Sequence, residues 1–214
     1  MNPKRIVADG YDAMAERYLA WSDLRPSATR LRYLALALEL VPPGSDVLEL
    51  GCGAGIPMTA ALAEGRAVTG IDISATQLEM ARRNVPDAAF IQADMTTLAF
   101  EPASFDAVLA FYSLTHVPRD EQAALIERIH EWLRPGGLFL ASMGADDEPG
   151  DVERDWLGVE MYFSHFGAKA NRRLVERAGF VVDRADIAVE PEDRHDARFL
   201  WIVARKHQIE SPRA

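Results

Sequence analysis

The run Val47-Leu48-Glu49-Leu50-Gly51-Cys52-Gly53-Ala54-Gly55 constrains this 214-residue chain more than any other stretch. Val47, Leu48 and Leu50 suit a strand covered on both faces, as in the interior of a parallel sheet. Gly51, Gly53 and Gly55 then permit backbone conformations closed to other residues and let a ligand approach the main chain. The helix that follows has unpaired N–H groups and a partial positive charge at its start, which suits an anionic group. Strand, bare turn and helix in that order point to a nucleoside-bearing cofactor bound at the end of a strand.

The rest of the chain continues the alternation. Residues 1–26 read as one or two short helical pieces, with Tyr11, Met14, Ala15 and Tyr18 at helical spacing. Ser27 caps a helix to about Leu40, with Leu31, Leu34, Leu38 and Val41 on one face, and Pro42-Pro43-Gly44 stops it. After the glycine turn come a helix near 57–64, a strand from Ala67 ending at Asp72, and a helix from Ser74 to about Asn84. Strands follow at Ala88–Gln92 and Phe105–Ala110, then a helix from Asp120 to Leu133 and a strand from Leu138 to Met143. Residues 144–166 break the rhythm, acidic at first and then aromatic. A last helix, from about Ala168 to Ala178, precedes strands at Phe180–Val189 and Arg198–Lys206. Two strands joined by a loop alone run antiparallel, because a parallel return needs a longer crossover. The expected fold is therefore α/β, a mostly parallel, doubly wound seven-stranded sheet with one antiparallel strand near its edge.

Composition narrows the ligand. Twenty-three basic against 33 acidic side chains leave a net charge of −10, a field that repels nucleic acid and anionic membranes. No 18-residue apolar span is present, and the basic N-terminus lacks the apolar run of a signal peptide. The single cysteine, Cys52, excludes an internal disulfide and fits a cytoplasmic setting. A small molecule is the expected substrate, with neither nucleic acid nor membrane as partner, and oligomeric state is not legible.

In an open α/β sheet the ligand lies outside the carboxyl ends of the strands, where strand order reverses. The residues at those ends are Glu49 and Gly51, Asp72, Asp94 and Phe111. Asp72 stands where a second-strand carboxylate can take both hydroxyls of a ribose, a geometry common to dinucleotide enzymes and methyltransferases. Three details separate these. The sixth position of G-x-G-x-x-G is Ile56 rather than glycine. Glu49 sits badly beside a pyrophosphate but tolerably beside a zwitterionic amino-acid tail. Asp94 suits an acceptor for an exocyclic adenine amine.

On these stretches, together with Gly70–Ser74, Gln92–Met95, Phe105–Val108 and Leu133–Gly137, the chain resembles the class I S-adenosylmethionine-dependent methyltransferases, in particular their small-molecule, natural-product branch. Tyr11–Tyr18 resembles that branch's N-terminal lid. The resemblance runs from about residue 10 to 206. It implies a Rossmann-like core at 45–206, a helical lid and first helix at 1–44, a substrate-capping insertion at 144–166 and a tail at 207–214. It further implies S-adenosyl-L-methionine as cofactor, with S-adenosyl-L-homocysteine as product. The backbone of Gly51, Gly53 and Gly55 would line the methionine part, with Glu49 positioning the turn. Asp72 would hold the ribose, Ile73 and Met95 the adenine ring, and Asp94 its amine. Phe111 would pass beside the sulfonium, with Tyr18, and Tyr11 from the same lid, closing over it.

The expected reaction is in-line transfer of methyl to an O, N, S or C nucleophile of a small metabolite. Proximity and exclusion of water carry most of the catalysis. His116, on the loop after the fourth strand, and His165, in the insertion, are candidate bases, and each is also compatible with packing or hydrogen bonding alone. His130, His195 and His207 read as inert. Tyr11, Trp156 and Tyr162 are candidate substrate contacts. Ala110-Phe111-Tyr112-Ser113 is not the Asn/Asp-Pro-Pro-aromatic tetrapeptide used on nucleobase amines, and no metal constellation is evident. A non-catalytic cofactor-binding protein and an NAD-dependent oxidoreductase remain as alternative readings.

Overall fold

The computed structural model describes residues 2–24, 27–191 and 196–208. His195 and the end of the expected tail lie outside the described residues. The elements are α1 (Pro3–Leu24), α2 (Ala28–Leu40), β1 (Asp46–Leu50), α3 (Met58–Ala63), β2 (Ala67–Asp72), α4 (Ala75–Asn84), β3 (Ala89–Gln92) and β4 (Phe105–Ala110). A single 3-10 turn, Leu114–His116, leads into α5 (Arg119–Trp132), β5 (Leu133–Gly144), β6 (Glu148–Trp156), β7 (Val159–His165), α6 (Ala168–Arg177), β8 (Phe180–Pro191) and β9 (Asp196–Lys206).

Seven strands form one sheet in the order β3-β2-β1-β4-β5-β9-β8. The β1, β2, β3, β4 and β5 pairings are parallel, and β9 runs antiparallel to both β5 and β8. The chain winds outward from β1 through β2 to β3, then returns to place β4 on the other side of β1. That reversal opens a crevice at the carboxyl ends of β1 and β4. Core residues cover both faces: Leu48, Leu50, Val108 and Phe139 belong to one cluster, Val47, Leu109, Leu140 and Trp201 to the other. Trp201 stacks on Tyr33 of α2 at 4.3 Å between ring centroids, so α2 is anchored on the second face.

Three expectations change. The first 24 residues form one continuous helix rather than short pieces, because no proline or glycine pair breaks it after Pro3. The inward face of α2 is Tyr33, Leu34, Ala37 and Val41, with Leu31 45% exposed. Tyr33 won the inward position because its ring found a flat partner in Trp201, a tertiary contact that periodicity does not register. The insertion at 144–166 is not irregular but an antiparallel hairpin, β6–β7, separate from the main sheet. Its first strand is mostly exposed and charged, so it lacks the alternation that reveals a strand. The hairpin packs on α1 through Val7, Met14, Trp156 and Met161.

Candidate active site

The glycine turn leaves β1 with Gly51 at φ +78° and Gly53 at φ +54°, both in the left-handed region. A Cβ on Gly51 would lie 2.3 Å from the Cβ of Ser113, so only glycine lets the turn pass under the loop after β4. A Cβ on Gly53 would meet only the Gln77 Oε1, at 3.7 Å, so that side of the turn is open. Gly55 differs from expectation. Its missing side chain faces Val85 and Ala81 of α4, and it lines neither cavity described below.

Asp72, the last residue of β2, ties the turn to the next helix. Its Oδ2 accepts from the Gly53 N–H at 2.9 Å and its Oδ1 from the Ser74 N–H at 2.9 Å. Burial pushes its pKa up, and these N–H donors offset that in part. Glu49 is buried two residues before the turn and accepts from the Thr59 hydroxyl at 2.6 Å. Burial raises its pKa to about 8, Thr59 opposing and the Asp72 charge adding. The folded protein thus holds this proton more tightly than the unfolded chain does. The associated stability is fully present below the ordinary carboxyl range and is lost as pH rises toward about 8. Urea unfolding between pH 5 and 8 should show stability declining with pH in the wild type and a flatter profile in Glu49→Gln. Parallel profiles would refute the assignment.

Around the turn lies a cavity lined by Gly51, Gly53, Asp72, Ile73, Asp94, Met95, Phe111, Tyr11 and Tyr18, which brings together nine residues singled out from the sequence. The same cavity reaches Lys4, Gln77, Tyr112 and His116. Gln77 is buried and both polar atoms of its amide lack a partner, which is costly unless a ligand supplies one. An open glycine turn, an orphaned amide and two carboxylates at successive strand ends fit an adenosyl amino acid.

The N-terminal helix closes this cavity through ionic contacts that were not foreseen. Lys4 Nζ lies 2.7 Å from Asp94 Oδ2 and 2.5 Å from Glu121 Oε2. Thr96 also donates to Asp94 through its N–H, at 2.9 Å. Burial would raise the Asp94 pKa, but Lys4 and Thr96 outweigh it and hold the carboxyl below its usual range. Asp12 accepts from the Ser74 hydroxyl at 2.5 Å and the Thr76 N–H at 3.0 Å, pinning α1 to the start of α4. The pairs made by Lys4 and Asp12 join residues 62 to 117 positions apart, so no local pattern announces them.

A second cavity of about 420 Å³ lies between α1, the start of α2, the hairpin and the end of β8. Its walls are largely aromatic, including Trp21, Trp156, Phe163 and Phe199. Tyr11, Tyr18, Tyr112 and His116 line both cavities and form the ring where they meet. His116 Nδ1 lies 2.8 Å from the Tyr162 carbonyl, which can only accept, so the proton sits on Nδ1. Nε2 is then the acceptor for the Tyr11 hydroxyl at 2.9 Å. Burial lowers the imidazole pKa to about 4, opposed by the Tyr162 carbonyl, so the ring is neutral near pH 7.

Besides Gly55 and Glu49, which line neither cavity, two further expected residues stay outside this arrangement. His165 lines neither cavity, and its Nδ1 is engaged with the Asp146 carbonyl at 2.7 Å. Tyr162 contributes its carbonyl to His116, while its side chain lies beside Gly150 and away from both cavities. The period of two along β7 accounts for Tyr162: its neighbour Phe163 faces the second cavity, so the Tyr162 side chain points the other way. Of the remaining histidines, His130 packs edge-on to Phe180 and His207 is exposed.

The fold is one shared with solved S-adenosylmethionine-dependent methyltransferases. Residues 47–137 match the family model described as a methyltransferase domain. An uncharacterized methyltransferase of Synechocystis is 33% identical over 110 residues, covering 51% of this chain and 52% of that protein. The ubiquinone biosynthesis O-methyltransferase of Xylella fastidiosa is 34% identical over 118 residues, covering 53% and 46%. The chain spans about half the length of these curated relatives. The crystal structure of a SAM-dependent methyltransferase from Methanosarcina mazei superposes with a TM-score of 0.71 at 22% identity, covering 81% of this chain and 98% of that one. No helix among the described residues is long and apolar enough to cross a membrane.

Proposed function

We propose that this protein transfers a methyl group from S-adenosylmethionine to a nucleophile on a small metabolite held in the aromatic cavity. The observation that carries this reading is the junction: two cavities, one at the glycine turn and one against the hairpin, meet at Tyr11, Tyr18, Tyr112 and His116. When bound, the cofactor supplies a methyl carbon activated by a positive sulfur, and the new bond forms as the carbon–sulfur bond breaks. Asp72 would hold the ribose, Ile73, Met95 and Asp94 the adenine, and Glu49, Gly51, Gly53 and Gln77 the amino-acid end. Phe111 and Tyr18 would exclude water from the junction.

Tyr11 and His116 supply a route for the acceptor's proton. The acceptor X–H gives its proton to the Tyr11 oxygen as Tyr11 passes its own to His116 Nε2, leaving an uncharged X–CH3 group on the product and an imidazolium. His165 and the Tyr162 side chain have no part in this reading. A non-catalytic binding protein on the same fold would be expected to have its acceptor space filled, and an open cavity of about 420 Å³ favours the enzyme. We also place the protein in the cytoplasm and in secondary metabolism, on its charge, single cysteine and small-molecule site. Calorimetry with S-adenosylhomocysteine, followed by a labelled-methyl assay over phenols, amines and thiols, tests the proposal. Saturable cofactor binding and label transfer support it, and absence of binding by folded protein refutes it.

A further inference from the structure

Glu190, at the end of β8, has no role in the reading above. It is 8% exposed, and its Oε1 accepts from the Tyr112 hydroxyl at 2.7 Å. No cationic side chain among the described residues pairs with it. Arg30, on the wall of the same cavity, donates instead to the Ser22 hydroxyl at 2.9 Å. A carboxylate withdrawn from water without a cation is costly unless something else supplies the charge.

The strand around it is inverted. On the edge strand β8, Ile187 is 50% exposed and Val189, at the cavity rim, 59%, while Glu190 is turned inward. A strand selected for stability alone would put the aliphatic residues inside and the acid outside. Tyr112, which orients the carboxylate, is itself held at φ +57°, an uncommon conformation for a tyrosine, with its N–H on the Ser142 hydroxyl. Two local costs converge on one carboxylate that lines the cavity. The walls are aromatic rings, whose faces attract cations, and the chain's charge of −10 steers cations toward it.

We propose that Glu190, oriented by Tyr112, binds an ammonium group of the methyl acceptor, so that the acceptor is a cationic amine with an apolar or aromatic body. The inference rests on reading this cavity as the acceptor site. The ammonium anchors the molecule at Glu190 beside Tyr112, and the nucleophile is presented to Tyr11 and His116, which line the same cavity.

The test uses protein saturated with S-adenosylhomocysteine and three probes sharing one aromatic body: tyramine, 4-ethylphenol and 3-(4-hydroxyphenyl)propionate. Calorimetry should show tyramine binding about ten-fold more tightly than the neutral phenol, with the propionate weakest. Glu190→Gln keeps an oxygen for Tyr112 and should abolish the preference, with the melting profile and S-adenosylhomocysteine affinity unchanged. Equal binding of all three, preference for the propionate, no binding of any, or a preference surviving in Glu190→Gln would overturn it. Failure of the first saturation step would instead remove the cofactor reading itself, which separates the two failures.

Discussion

Replacing His116 by alanine is expected to lower methyl transfer by about 10²–10⁴-fold, the usual contribution of a positioned general base, with little change in S-adenosylhomocysteine affinity. The expectation follows from hydrogen-bond direction. Because the Tyr162 carbonyl fixes the Nδ1 proton, Nε2 presents its lone pair to Tyr11 without a tautomer change. Tyr11→Phe should give a comparable loss, since the phenol is the link between acceptor and imidazole. His165→Ala should be silent, being outside both cavities. The pH profile gives a further check. With a pKa near 4 the imidazole is protonated only in acid, so the His116-dependent rate should be level through neutrality and fall below about pH 4. Turnover that survives in both His116→Ala and Tyr11→Phe would refute the relay.

Asp72→Ala is expected to weaken cofactor binding by about 1.5–3 kcal/mol, the range for hydrogen bonds to a charged group, or roughly ten- to a hundred-fold in Kd. The carboxylate holds the Gly53 and Ser74 N–H groups, and in the proposed function it also takes the ribose hydroxyls. Asp72→Asn retains one oxygen as an acceptor and should fall between wild type and alanine. Calorimetry with S-adenosylhomocysteine, paired with a thermal melt, reads both effects. Unchanged affinity in a folded Asp72→Ala protein would refute the ribose assignment.

The difference between these two predictions reflects where each was legible. Asp72 follows from local order alone: a buried strand, a glycine turn and a second strand ending in an acid lie within one short stretch of chain. The Tyr11–His116 pair spans 105 positions and needed α1 to fold across the sheet before either partner had meaning. Similarly, Lys4 reaches Asp94 only because α1 is one unbroken helix. Tyr112 could not be singled out from type or spacing, since its importance lies in a backbone conformation. Glu190 left a faint signal in the inverted alternation of Ile187, Val189 and Glu190, legible only once the inner side of β8 was known.

Strand succession, the antiparallel last strand, the bare turn and the acids at the strand ends are short-range properties, set by side-chain period, glycine freedom and connection length. They were readable along the chain because each depends on neighbours a few residues away. Which histidine lines both cavities, which tyrosines ring the junction and which carboxylate lies inside the second cavity were decided by packing between α1, the hairpin and β8. Those contacts join distant segments, and burial, tautomer and charge pairing take their values only when the segments meet.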